Sequence, residues 1–109
     1  MGTGSLVRRN SRSYLWYRAM KIRYFARIRE LTGENEVEWD KPADTLGMLM
    51  HDLADHYGQG FLRRVLADAG LNSMIIVLIN GQDARHLGGA DTPLRPDDTV
   101  SIFPPIGGG

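Results

Sequence analysis

Six apolar residues, Met74-Ile75-Ile76-Val77-Leu78-Ile79, run without alternation into Asn80-Gly81. A run of this length, rich in β-branched side chains and closed by a hairpin-type turn, predicts a strand covered on both faces and central in its sheet. Its cover must come from elsewhere in the chain. The longest helical pattern is Leu46, Leu49, Met50, Leu53 and Tyr57, which follows Pro42, has Asp44 or Thr45 as its cap and Gly58 and Gly60 as its stop. Phe61, Leu62, Val65, Leu66 and Ala69 predict a shorter helix stopped by Gly70.

The other strands show the period-2 pattern. In Lys21 to Ile28, Ile22, Tyr24, Ala26 and Ile28 share one face and charges the other, which predicts an eight-residue half-buried strand. Thr32-Gly33 makes a turn, and Glu34 to Asp40 alternates again with Val37 and Trp39 inward. On the outer face of such a hairpin, Arg23 and Arg27 are expected to meet the Glu34, Glu36, Glu38 row. Gln82 to Arg85 predicts a weak edge segment, and Asp91-Thr92-Pro93-Leu94 and Arg95-Pro96-Asp97-Asp98 predict turns. Thr99 to Phe103 closes the pattern, with Val100 and Ile102 inward and Thr99, Ser101 and Phe103 outward. The order is strand, strand, helix, short helix, strand, weak strand, strand, an α+β domain with one sheet on one main helix.

Composition narrows what such a domain can do. The 109 residues carry 13 basic and 13 acidic side chains. Their balance hides a split. Residues 1–19 hold Arg8, Arg9, Arg12 and Arg18 and no acid, a charge of +4, whereas residues 20–109 carry −4. The expected organisation is a basic leader over 1–19, outside the fold, and one domain over 20–109. A body of this charge does not suit nucleic acid, and no stretch suits a membrane span or a secretory signal, so the expected location is cytoplasmic.

There is no cysteine, which removes disulfides, thiolate nucleophiles and cysteine-ligated metals. No phosphate-binding glycine loop follows a strand, so the chain is not expected to bind ATP by itself. His51, His56 and His86 lack metal-ligand spacing, and Asp97-Asp98 fits a turn better than a catalytic pair. No autonomous catalytic site, bound metal or stably held cofactor is expected.

The end, Phe103-Pro104-Pro105-Ile106-Gly107-Gly108-Gly109, is unusual. Two prolines terminate the last strand, and three glycines finish the chain without side chains. Ile106 to Gly109 can reach about 13–14 Å when extended, enough to thread the terminal carboxylate into a narrow slot that only glycine would fit. A frayed terminus is the competing reading from composition alone.

Met20 to Gly33, Val77-Leu78-Ile79-Asn80-Gly81, the Asp91 to Leu94 turn and the Phe-Pro-Pro…Gly-Gly ending together closely resemble the small subunit of molybdopterin synthase. They are also similar to the archaeal ubiquitin-like small modifiers and, more distantly, to the thiamine sulfur carrier. Ile106 and Gly107 depart from the usual ending but leave Gly108-Gly109 in register. The resemblance implies a β-grasp, ubiquitin-like fold, with a mixed four- to five-stranded sheet packed on one main helix.

The resemblance also implies the chemistry. An adenylating enzyme of the ubiquitin-activating type would take Gly107, Gly108 and Gly109, use ATP to activate the Gly109 carboxylate, and pass it to a persulfide donor. The product would be a C-terminal thiocarboxylate, and its acceptor the large subunit of molybdopterin synthase or another sulfur acceptor. Partner docking is expected at Phe25, Phe103, Pro104 and Pro105 with Arg23 and Arg27, because strand parity turns both phenylalanines outward and the small subunits use matching positions to meet the large one. Three alternatives stay open. Gly109 could be attached to lysines of target proteins, the sulfur could go to tRNA, thiamine or cysteine synthesis, or the domain could be a noncovalent module.

Overall fold

The computed structural model describes residues 19–67 and 70–104. In chain order its elements are β1 (Met20–Tyr24), α1 (Ala26–Thr32), β2 (Glu36–Trp39), α2 (Leu46–Tyr57), α3 (Gln59–Val65), β3 (Leu66–Ala67), β4 (Gly70–Leu71), β5 (Ile76–Ile79), β6 (Gln82–Asp83), two 3-10 turns (Ala84–His86 and Gly89–Asp91) and β7 (Thr99–Phe103). β1 pairs antiparallel with β2 and parallel with β7, whose other side pairs antiparallel with β5. The five-stranded sheet has the order β2-β1-β7-β5-β6, and β3 and β4 form a separate two-stranded ribbon.

One face of the sheet meets the helices. Ile22 and Tyr24 of β1, Val77 and Ile79 of β5, and Val100 and Ile102 of β7 pack with Leu46, Leu49, Met50 and Leu53 of α2 and with Phe61 and Val65 of α3. Each is at most 5% exposed, so the apolar area removed from water is concentrated in this single layer. The Thr45 hydroxyl accepts a hydrogen bond from the Met48 N–H and caps α2, and Gly58, at φ 98°, ends it in a conformation that a side chain would resist. Tyr24 sits edge-on to Tyr57 and Phe61. Its hydroxyl donates to the Tyr57 hydroxyl at 3.0 Å, and burial raises its pKa far above the ordinary phenol value.

The first strand is shorter than its sequence pattern. Ala26 adopts φ 51°, an uncommon conformation for a residue with a Cβ, and the chain leaves β1 for α1. Ile28 still reaches the core and is fully buried, because a spacing of four from Tyr24 satisfies both the strand and the helix period. Arg27 does not follow the expectation. It lies on α1, where its Nε is 3.6 Å from Glu30, and it does not join the β2 carboxylates. Arg23 and Lys21 do, at 3.6 and 3.8 Å from Glu36.

Two further expectations change. The second helix ends at Val65, so Gly60 lies inside it and is no stop, while Gly70 opens β4 instead of ending a helix. The expectation that Ala69 belongs to that helix falls on a residue outside the description. The apolar run Met74 to Ile79 is neither central nor covered on both faces: β7 takes the centre, β5 lies fourth, and Met74 is 60% exposed. A single main helix can cover one face only, so Ile75, Val77 and Ile79 are buried while Ile76 and Leu78 stay half-buried on the other.

Asn80 and Gly81, at φ 51° and 86°, make the two-residue left-handed turn between β5 and β6. Asn80 is also a brace. Its Nδ2 donates to Asp98 Oδ1 at 2.8 Å, its Oδ1 accepts from the Thr99 N–H at 2.9 Å, and Asp98 Oδ2 accepts from the Arg95 N–H at 2.8 Å. Asp98 is therefore a buried turn residue. Asp98→Ala is expected to leave two donors unpaired and cost about 1–3 kcal/mol, read as a lower urea midpoint at unchanged slope.

Candidate functional site

The face that α2 leaves open carries the root of the C-terminal tail. β7 delivers Phe103 to its end and β1 delivers Phe25 beside it, because the parallel register sets Tyr24 opposite Ile102 and the Phe25 N–H donates to the Ile102 carbonyl at 3.1 Å. The rings stack at a centroid distance of 4.2 Å and an interplanar angle of 10°. Both are half-buried, and Pro104, the last described residue, follows directly. The Arg23 guanidinium lies 5.3 Å from the Phe25 centroid and is shared with Glu36, so one cation is fixed at the margin of the aromatic pair.

The patch is wider than the two phenylalanines. The antiparallel register of β5 puts Ile76 opposite Phe103 and Leu78 opposite Ser101. Ile76, Leu78, Phe25 and Phe103 thus form an apolar strip around Ser101, which is only 8% exposed although it points to the outer face. Ile76 and Leu78 were hidden in the sequence by the assumption that the run has two covers. The single long helix was the signal that one side of the run would remain open.

Of the expected docking residues, the structure brings Phe25, Phe103, Pro104 and Arg23 to one place, and sets Arg27 on α1. Pro105, Gly107, Gly108 and Gly109 lie outside the described residues. A concavity of about 260 Å³, lined by Leu71, Ile75, Val77, Ala84 and Ala90, has Asp83 and Arg85 at its margin. Arg85 holds Asp83 at 2.6 Å and lowers its carboxyl pKa to about 2, so the two charges satisfy each other. Among the described residues no group of three or more His, Asp or Glu side chains is placed to hold a metal, and no helix is long and apolar enough to cross a membrane.

A mixed five-stranded sheet wrapped on one main helix, with the last strand in the middle and the chain end leaving an open apolar face, is the ubiquitin-like β-grasp. The chain belongs to the ThiS family, which matches residues 22–109. It is 35% identical to small archaeal modifier protein 3 of Haloferax volcanii over 91 residues, 83% of this chain and 98% of that protein. Over 69 residues, 61% of this chain and 73% of the relative, it is 32% identical to the sulfur carrier protein CysO of Mycobacterium tuberculosis. A chain in the crystal structure of the Amycolatopsis orientalis BexX/CysO complex superposes with a TM-score of 0.72 at 27% identity, covering 84% of this chain and all of that one. This is a family of sulfur carriers and ubiquitin-like small modifiers.

Proposed function

We propose that the chain is a sulfur carrier whose working group is the carboxylate of Gly109 and whose described domain presents that group to partners. The stacked Phe25–Phe103 pair carries the reading, since an apolar surface beside the end of the last strand suits docking of a partner that takes a glycine-ended tail. A carboxylate is a poor electrophile at neutral pH. An adenylating partner would bind ATP, join the Gly109 oxygen to AMP and release pyrophosphate. Hydrosulfide would displace AMP directly, or a persulfide would do so and a thiol would then cleave the S–S bond, leaving a thiocarboxylate. ATP thus belongs to the partner, and the carrier supplies docking and the reacting terminus.

The molybdopterin precursor, held by the large subunit of its synthase, is the proposed destination of the sulfur. The Phe-Pro-Pro and Gly-Gly segments that resemble the small subunit of that synthase support this destination. Resemblance to a small archaeal modifier favours a second use of the same adenylate, attack by a target lysine to give an isopeptide and AMP. The carrier reading is tested by co-expression with a competent activating enzyme. Intact mass is expected to rise by the difference between sulfur and oxygen, and unchanged mass would overturn the carrier reading.

A further inference from the structure

Of the chain's 13 basic residues, 11 are arginine, and Lys21 and Lys41 are its only lysines. Guanidinium groups stay protonated near neutral pH and do not accept acyl groups. If the activated Gly109 of one copy is taken by an amine side chain of another, the acceptor is one of these two. The structure separates them.

Lys21 stands on the outer face of β1 with Arg23. Its Nζ lies 3.8 Å from Glu36, which also holds Arg23 at the margin of the Phe25 ring. An acyl group here would break that contact and stand beside the aromatic pair, where a docked partner would meet it. Lys41 is placed differently. It is exposed in the connection from β2 to α2, between half-buried Trp39 and buried Ala43, and Pro42 disfavours a helical backbone there. Its Nζ lies 5.9 Å from the Trp39 ring centroid, at the outer limit of a cation–π contact, and no ion pair between described residues involves it.

Register puts Lys41 and the root of the tail at opposite ends of the sheet. Met20, at the start of β1, is opposite Trp39, whereas the parallel pair Tyr24–Ile102 leads to Phe103 and Pro104. The residue steps of β1 between these ends span about 13 Å. A copy acylated at Lys41 therefore keeps its own Phe25–Phe103 face uncovered. Donor and acceptor surfaces differ, so the contact is heterologous and can repeat.

We propose, building on the isopeptide use of the Gly109 adenylate, that Lys41 is the acceptor for the activated Gly109 of a second copy, joining copies head to tail. Neutral Nζ forms a bond to the Gly109 carbonyl carbon, and the bond from that carbon to the AMP oxygen breaks. AMP departs, and the amine gives one proton to water.

The full chain, its Lys41→Arg and Lys21→Arg variants and a chain lacking Gly108 and Gly109 are each incubated with a competent activating enzyme and ATP, without a sulfur donor. Pyrophosphate release reports Gly109 activation separately from joining. The full chain and Lys21→Arg are expected to give two-copy and longer products, with the link located at Lys41 by peptide mass. Lys41→Arg keeps the charge over Trp39, so it should release pyrophosphate equally and still load sulfur when hydrosulfide is added. Its joined product should fall about tenfold or more, because a guanidinium does not take the acyl group. Lys41→Arg mixed with the truncated chain should stop at two copies, since one supplies only the donor and the other only the acceptor. Undiminished joining in Lys41→Arg, a link at Lys21 or at the N-terminal amine, or a single copy lighter by one water would overturn the proposal. Activation without joining would overturn it too and leave the carrier reading intact, whereas no pyrophosphate release would overturn both.

Discussion

A chain lacking Gly108 and Gly109 is expected to acquire no sulfur and form no conjugate, with a melting temperature unchanged from the full chain. Neither glycine belongs to the described core, whose buried side chains run from Met20 to Ile102. The loss should be complete, because truncation moves the only activatable carboxylate two residues back, out of reach of a slot shaped for bare backbone. Gly109→Ala is the finer version. It keeps the length and adds one methyl, so its loading should fall sharply while binding to the activating enzyme, measured by titration, persists. Undiminished function of the truncated chain would instead favour a noncovalent role.

Phe25→Ala carries the second large effect. The substitution removes a ring stacked at 4.2 Å on Phe103 and the surface under Arg23, but keeps the Phe25 N–H bond to Ile102. Loss of the stacked pair should cost about 1 kcal/mol of stability, a fall in Tm of about 4–8 °C. Loss of a central docking aromatic should cost 2 kcal/mol or more of partner binding, about 30-fold. The discriminating measurement is kcat/KM of the activating enzyme for the folded variant. A drop of that size, appearing in KM, supports a docking role. Unchanged kinetics would make the stack a small core of its own.

The parts of the fold that were legible have one cause each. Thr99 to Phe103 was readable end to end because alternation, two prolines after it and an Asp-Asp turn before it all agree. Leu46 to Tyr57 was readable because its period and its glycine stop coincide. The break at Ala26 was not, since Tyr24 and Ile28 fit a strand and a strand-to-helix bend equally well, and alanine rarely adopts a positive φ. The placement of β5 was misread because apolar runs do not say how many layers will cover them. For the site, Phe25, Phe103 and Arg23 followed from parity, whereas Arg27 lost its place with the strand that was to carry it. Ile76 and Leu78 emerged only from the register with β7.

The central position of β7 makes the order of synthesis matter. Lys21 emerges early and its partner Thr99 close to the end, so the longest-range pairing in the sheet closes last. Until Phe103 has emerged, β1 and β5 have no strand between them, and no stable half of the sheet exists without it. The residues that complete the sheet lie immediately before the tail that would carry the proposed reacting group, so a chain stopped before Phe103 would lack the fold and the tail together. A partner that recognises the assembled face would thereby pass over chains that end before β7 is complete, with a check on the sheet built into strand order.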